Sequence, residues 1–287
     1  MFIACSMLSN ICHATQTTFN PFSVSSACHF SQYLRSQLLA PLQQFIADVT
    51  NPESEGSMVI PAEAVRPIGT LHLTLGVMSL QSPERVAAAS TFLRGLDVRE
   101  MLHEASKVGG TGPANVVEVA EGTEILPETK DDSQAESLDK VLPLTVTLFG
   151  LNPMHKPSST SILYASPLDD TSRLYPFTLA LQQAFTNAEF LLQDDRDLYL
   201  HATIVNTIYA KDKKARTQGS GHGKNSKGSR KFDAQEMIAK YQGFEWAKDV
   251  HIERLSICEM GAKKTIENGK VVNEEYVEIA SVPLPSG

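Results

Sequence analysis

The chain has 287 residues, of which 42% are hydrophobic and 20% are charged, enough to bury a substantial core in one large domain or two lobes. Its formal net charge of -8 argues against a general nucleic-acid-binding surface, but a small phosphate pocket needs only local donors. No apolar run approaches the roughly 20 residues that span a bilayer, so the composition favours a soluble protein.

Residues 1–30 form a poorly patterned leader, rich in Ser, Thr, Asn and Cys and without a clear hydrophobic period. Three of the four cysteines, Cys5, Cys12 and Cys28, lie here, near two histidines. Their spacings match no standard zinc-ligand pattern, so free thiols in a reducing compartment are favoured over a metal site. A signal peptide is disfavoured because a positively charged start is missing.

The next segments alternate between helical and extended patterns. Apolar residues at steps of three and four predict a helix over 31–49, with a kink or break at Pro41. LHLTLGVMSL, from Leu71, predicts a strand with one apolar face. Ser82 is a good cap for a following helix, and a second helix is predicted over 98–107.

The middle of the chain begins with a polar acidic insertion at 110–140, which holds eight acidic and two basic side chains. Strands are predicted over 142–149 and 162–166, and Asp170 is predicted to cap a helix that runs to about residue 189. LYLHATIVNTIY, from Leu198, is a second strand with an apolar face.

The last part begins with a basic, flexible loop at 211–231, whose glycine-rich stretch lacks the spacing of a phosphate-binding loop. A helix over 234–241 and strands over 251–260 and 276–282 complete the prediction. The order of elements predicts an α+β fold in which two similar halves repeat.

Two of these strands carry the same motif, His-x-Thr, at His72/Thr74 and His201/Thr203. Residues two apart on a strand share a face, so a histidine and a hydroxyl can address one phosphate. Two histidines on opposite sides of a phosphorus suit an in-line displacement, one as base and one as acid. The threonines would donate hydrogen bonds to the non-bridging oxygens, and the chemistry needs no metal.

A lone His-x-Thr is a weak signal, as a third copy at His13 in the polar leader shows. Taken singly, each motif is better explained as a partly exposed strand histidine beside a threonine that favours strands. Taken together, the two motifs favour a functional site, because both lie on amphipathic strands, 129 residues apart, in equivalent places of the two halves.

LHLTLGVMSL and LHATIVNTIY resemble the two signature strands of 2H phosphoesterases, and more narrowly the A-kinase anchor protein 7-like phosphoesterase domain. That domain also occurs in subunit 1 of the activating signal cointegrator complex. The resemblance covers residues 31–285, apart from the two polar insertions. It implies the bilobal 2'-5' RNA ligase-like fold, with two pseudo-symmetric lobes of antiparallel sheet plus helices around a central cleft.

The resemblance also implies a function. It identifies His72 and His201 as catalytic and Thr74 and Thr203 as phosphate-binding, without a cofactor or metal. The expected activity is hydrolysis of 2',3'-cyclic or 2',5'-linked phosphodiesters of RNA or small nucleotides. The rival interpretation is a non-catalytic subunit that binds RNA or partners in a nuclear transcription or repair coactivator complex. Either interpretation places the protein in the nucleus, the cytoplasm or both.

Four features of the fold remain to be checked in the structure: the opening strand and the positions of three aromatic or histidine side chains. Family members open with a short apolar strand, but the equivalent stretch here, residues 23–30, is polar. Either the strand is present in weak form or this N-terminus differs. Trp246 is expected in the core, and packing is the favoured role for Tyr164. His251 fits a surface position and a cleft position equally well.

Overall fold

The computed structural model describes residues 2–6, 32–51, 60–108, 141–191, 197–210 and 230–286, and for 2–6 and 32–35 it describes the backbone alone. The predicted acidic insertion at 110–140 and nearly all of the predicted basic loop lie outside these ranges.

Ten strands and five α-helices lie in the described part of the chain. The strands are β1 (Phe2–Ser6), β2 (Leu73–Val77), β3 (Thr145–Pro153), β4 (Ile162–Leu168), β5 (Ala202–Asn206), β6 (Glu245–His251), β7 (Arg254–Cys258), β8 (Lys263–Glu267), β9 (Lys270–Glu275) and β10 (Glu278–Pro283). The helices are α1 (Gln32–Thr50), α2 (Pro83–Arg94), α3 (Val98–Val108), α4 (Leu174–Asn187) and α5 (Gln235–Tyr241).

Eight of the strands form one antiparallel sheet in the order β10-β7-β1-β2-β5-β4-β3-β6, and β8 and β9 form a separate hairpin. The sheet consists of two four-stranded halves, which meet where β2 pairs with β5 through Leu73 and Ala202. The two innermost strands are those that follow the two histidines. This arrangement confirms the α+β fold with two similar halves.

β1 pairs with both β2 and β7, inside the first half of the sheet. The sequence predicted a leader without elements here. It left open whether residues 23–30, which lie outside the described residues, form the family's opening strand or whether this N-terminus differs. The prediction was wrong for Phe2–Ser6. Five residues are too few to establish a period, and this strand is specified by partners about 70 and 250 residues away.

Helix α1 is continuous through Pro41, so of the predicted kink or break, the break does not occur. Leu38, Leu42 and Phe45, on both sides of the proline, are buried in the same core. Phe45 contacts Trp246 edge to face, at 5.3 Å between ring centroids. Burial of one apolar stripe offsets the hydrogen bond that proline cannot make.

The start of α4 differs from the prediction, because its N-cap position is Arg173 and not Asp170. The carboxylate of Asp169 accepts a hydrogen bond from the backbone N–H of Leu174, the first residue of the helix, at 2.6 Å. The predicted cap of α2 is confirmed, since the Ser82 hydroxyl accepts from the Arg85 N–H at 3.3 Å. Side-chain geometry of this kind satisfies the free N–H groups of a first helical turn.

Candidate functional site

The two His-x-Thr motifs meet at the centre of the sheet. Leu73 lies opposite Ala202, and both are buried. Continuing this antiparallel register by one residue places His72 across from Thr203, and Thr74 across from His201. Because side chains alternate along a strand, all four point to the face opposite Leu73, where all are half-buried. Diagonal neighbours of this kind are about 7–8 Å apart, a spacing that admits a phosphate between the two rings.

Both imidazole rings are held in the same way. The Nδ1 atom of His72 lies 2.8 Å from the carbonyl oxygen of Thr70, and that of His201 lies 2.9 Å from the carbonyl oxygen of Tyr199. A carbonyl oxygen only accepts, so each Nδ1 carries the hydrogen and donates it. In the neutral ring the proton acceptor is therefore Nε2, the atom that catalysis by either histidine would use.

The environment favours the neutral form of both rings. Burial lowers the pKa of His72 to about 4, with smaller contributions from His201 and Arg66, against the opposing hydrogen bond to Thr70. Burial also lowers the pKa of His201, against its hydrogen bond to Tyr199. An anion bound between the rings would act in the other direction, because a nearby negative charge stabilises an imidazolium.

His72 is covered by groups that the sequence did not single out. The ring of Tyr276 contacts it edge to face, at 5.1 Å between centroids, and burial raises the pKa of Tyr276 to about 12. The guanidinium of Arg66 lies 3.7 Å above the ring of Tyr209. Arg66 is only 5% exposed, and its Nη2 forms an ion pair with the carboxylate of Glu274 at 3.7 Å. A buried and paired cation thus lies near His72 and contributes to the lowered pKa of that ring.

The β8–β9 hairpin closes this side of the site. It packs on the short turn Ile68–Thr70 that leads into His72. A Cβ atom on Gly69 would lie 2.5 Å from the backbone oxygen of Glu274, so only glycine allows this close approach. The hairpin in turn leads directly to Tyr276 and so fixes the ring that covers His72.

His201 has a more open, aromatic surrounding. The rings of Tyr164 and Tyr199 lie 5.5 and 6.0 Å from its ring, and their hydroxyls are hydrogen-bonded to each other. Tyr164 is buried, as predicted, whereas Tyr199 is exposed. Burial raises the pKa of Tyr164, so this phenol stays protonated and can only act as a neutral hydrogen-bonding group.

Other residues singled out in the sequence lie elsewhere. Trp246 is in the core, as predicted, and its Nε1 donates to the Gly150 carbonyl at 2.7 Å. His251 is exposed on β6, the outer strand of the second half, and takes no part in the site. Cys12, Cys28 and the third His-x-Thr at His13 are outside the described residues.

The described residues contain no group of three or more His, Cys, Asp or Glu side chains that could hold a metal ion. None of the helices among them combines the length and the apolar character needed to cross a membrane.

Comparison with solved structures found several low-identity matches. A crystal structure of a phosphoesterase is 13% identical, with a TM-score of 0.43, over 93% of this chain and 100% of that one. Escherichia coli LigT complexed with 3'-AMP is 12% identical, with a TM-score of 0.39, over 92% and 97%. The protein TT0787 of Thermus thermophilus is 10% identical, with a TM-score of 0.39, over 92% and 96%.

Comparison of sequences found closer likenesses. An uncharacterized protein of Schizosaccharomyces pombe is 30% identical over 142 residues, which make up 49% of this chain and 58% of the yeast protein. The chain thus matches little more than half the length of this relative. A family model, the AKAP7 2'5' RNA ligase-like domain, matches residues 30–273. This match includes both histidine motifs and most of the chain, and it confirms the resemblance noted in the sequence. The chain belongs to the family of AKAP7 2'5' RNA ligase-like domains.

Proposed function

We propose that the protein is a metal-independent phosphodiesterase that hydrolyses 2',3'-cyclic or 2',5'-linked phosphodiesters of RNA or small nucleotides. One observation carries the proposal. Two imidazoles stand on one face of the sheet centre, and each is anchored through Nδ1 so that its Nε2 is left for chemistry.

The reaction follows from this geometry. One neutral histidine takes a proton from the attacking water through Nε2 while the water oxygen bonds to phosphorus. The bond from phosphorus to the leaving sugar oxygen breaks, and the other histidine, protonated, gives its Nε2 proton to that oxygen. Each positioned proton transfer contributes roughly 10²–10⁴-fold. The hydroxyls of Thr74 and Thr203 donate to the non-bridging oxygens, where negative charge develops.

The depressed pKa values and this mechanism are compatible because the substrate is an anion. In the free protein both rings favour the neutral, proton-accepting form. A phosphodiester between them raises the affinity of both rings for a proton. One ring then takes up the proton that the leaving oxygen needs, and the other stays neutral to serve as the base.

The net charge of the chain and the description of its family both support this substrate class. A net charge of -8 is unfavourable for holding a long nucleic acid through many phosphate contacts, so a small nucleotide or an RNA end suits the chain better. The description of the matching family, a 2'5' RNA ligase-like domain, agrees with 2'-linked phosphate esters.

The test is turnover of 2',3'-cyclic nucleotides and of 2',5'-oligoadenylate in the presence of EDTA, with products separated by chromatography. The native protein should turn over at least one of them. His72→Ala and His201→Ala should each lose at least about 100-fold in kcat. His251→Ala is the matched control, since this histidine is exposed and outside the site, and it should keep native activity. Full activity in either site variant would refute the mechanism.

The second candidate is a binding module for RNA or partners in a nuclear coactivator complex. The observation that favours it is the burial of His72, which disfavours the charged form that an acid catalyst needs. The same assay separates the two candidates, because a binding module would retain 2',3'-cyclic nucleotides without hydrolysing them.

A further inference from the structure

We propose that the pocket beside His201, between α5 and strands β3 and β4, is a nucleoside subsite that holds the base of the substrate. It has a volume of about 340 Å³. The inference rests on the proposed function, because it names the part of the substrate that extends from the phosphate between the two histidines.

The pocket lies on the same face of the sheet as the histidines. Tyr164, whose ring contacts His201, is opposite Thr203 on one side and Asn152 on the other. Ser166, two residues along from Tyr164, shares this face, and its hydroxyl accepts a hydrogen bond from the Asn152 amide at 3.1 Å. Asn152 and Ser166 both line the pocket.

The distance from the catalytic centre is short. Ala165 is opposite Ala202, so the register continued by one residue places Ser166 across from His201. Neighbouring strands are about 5 Å apart, and the near edge of the pocket is therefore a single strand away from His201. A phosphate between the histidines and a base in the pocket can belong to one nucleotide.

The lining suits a nucleobase. Asn152, Gln235 and Gln242 supply amides, each with both donors and an acceptor, the same mixture that a base edge presents. Phe149 and Ile238 are among the apolar residues that form the rest of the wall, against which a flat ring can pack. The pocket has no lysine or arginine in its lining, so a neutral base suits it better than a second phosphate.

A β-bulge in β3 shapes one wall of the pocket. Phe149 pairs with Ser166 and Asn152 pairs with Tyr164. Between these two pairs β3 has two residues, Gly150 and Leu151, where β4 has only one. Gly150 has a φ of +66°, a conformation that glycine adopts without strain. Its N–H donates to the Phe244 carbonyl at 2.7 Å, which fixes the bulge beside α5. Bulges are common next to active sites because they redirect side chains, and here the bulge brings Asn152 to the pocket floor.

The experiment measures how much the base contributes. Steady-state kcat/KM is determined for cytidine 2',3'-cyclic phosphate, adenosine 2',3'-cyclic phosphate and 1-O-methylribose 2',3'-cyclic phosphate, which lacks a base. The native protein should prefer a nucleotide over the base-free ester. In Asn152→Ala this preference should fall by about tenfold, mainly through KM. Asn187→Ala, an exposed asparagine at the end of α4, should keep it.

Binding of the free nucleosides cytidine and adenosine, followed by NMR, separates this inference from the proposed function. Nucleoside binding that Asn152→Ala weakens supports the subsite even if no ester is hydrolysed. Hydrolysis with equal kcat/KM for the nucleotides and the base-free ester would overturn the subsite and leave the proposed function standing. An unchanged preference in Asn152→Ala would overturn it as well.

Discussion

At the scale of single residues, the site depends on which ring nitrogen faces the substrate. The carbonyls of Thr70 and Tyr199 hold each histidine through Nδ1. Both acceptors are backbone atoms two residues before the histidine, so the two halves reproduce one local conformation. The motif His-x-Thr is therefore part of a longer unit, in which the preceding backbone selects the tautomer.

The threonine hydroxyls should matter more for the transition state than for binding. Thr203→Val keeps the shape of the side chain and removes the donor, so kcat should fall by about 10²-fold. Thr203→Ser restores a hydroxyl and should recover most of this loss. Steady-state kinetics on a 2',3'-cyclic nucleotide checks both variants. A serine variant as slow as the valine variant would show that the methyl group, rather than the hydroxyl, is needed.

The pH dependence of kcat/KM should be bell-shaped, with its maximum below pH 6.5. In the proposed mechanism the active form of the free protein has one histidine neutral and one protonated, so the maximum lies midway between the two pKa values. Burial lowers both pKa values from 6.5, that of His72 to about 4. This holds whichever histidine is the acid. A profile that peaks above pH 7 would contradict the burial of the two rings described here.

At the scale of elements, the sequence was informative where periodicity is strong. The helix over 31–49, the two histidine strands and the cap at Ser82 follow from local patterns, and all are present. β1 and β6 were missed because their positions depend on distant partners. The β8–β9 hairpin was also missed, but it could have been predicted from the residues of its turn. Its turn is Asn268-Gly269, both with positive φ, a common two-residue hairpin turn.

Helix α1 offers a sharp test of which face is buried. Leu38 is fully buried and its neighbour Leu39 is 49% exposed, in the same helix and with the same propensity. Leu38→Ala should lower the free energy of unfolding by about 2–5 kcal/mol, because it leaves a cavity in the core. Leu39→Ala should change it by less than about 1 kcal/mol. Urea denaturation followed by circular dichroism measures both, and similar losses would place the helix in a different orientation.

At the scale of the whole molecule, the site exists only because the two halves of the sheet join. His72 and His201 belong to different halves, and β2 and β5 pair at a single position, Leu73 with Ala202. Two equivalent strands with one motif each are visible in the sequence, and their meeting was predicted from the resemblance. The contact of Tyr276 with His72 and the position of Arg66 near it were not predicted. Tyr276 follows the β8–β9 hairpin and Arg66 precedes the turn Ile68–Thr70, and neither segment carries a motif.

The most direct test of this arrangement is an NMR titration of the two rings. The Nε2 resonances of His72 and His201 are followed in the native protein as inorganic phosphate is added, with assignments from His72→Ala and His201→Ala. Both resonances should move together with one Kd, because one anion lies between the rings, and the exposed His251 should not respond. A shift at only one of the two histidines, or two different Kd values, would show that the rings do not flank a common phosphate.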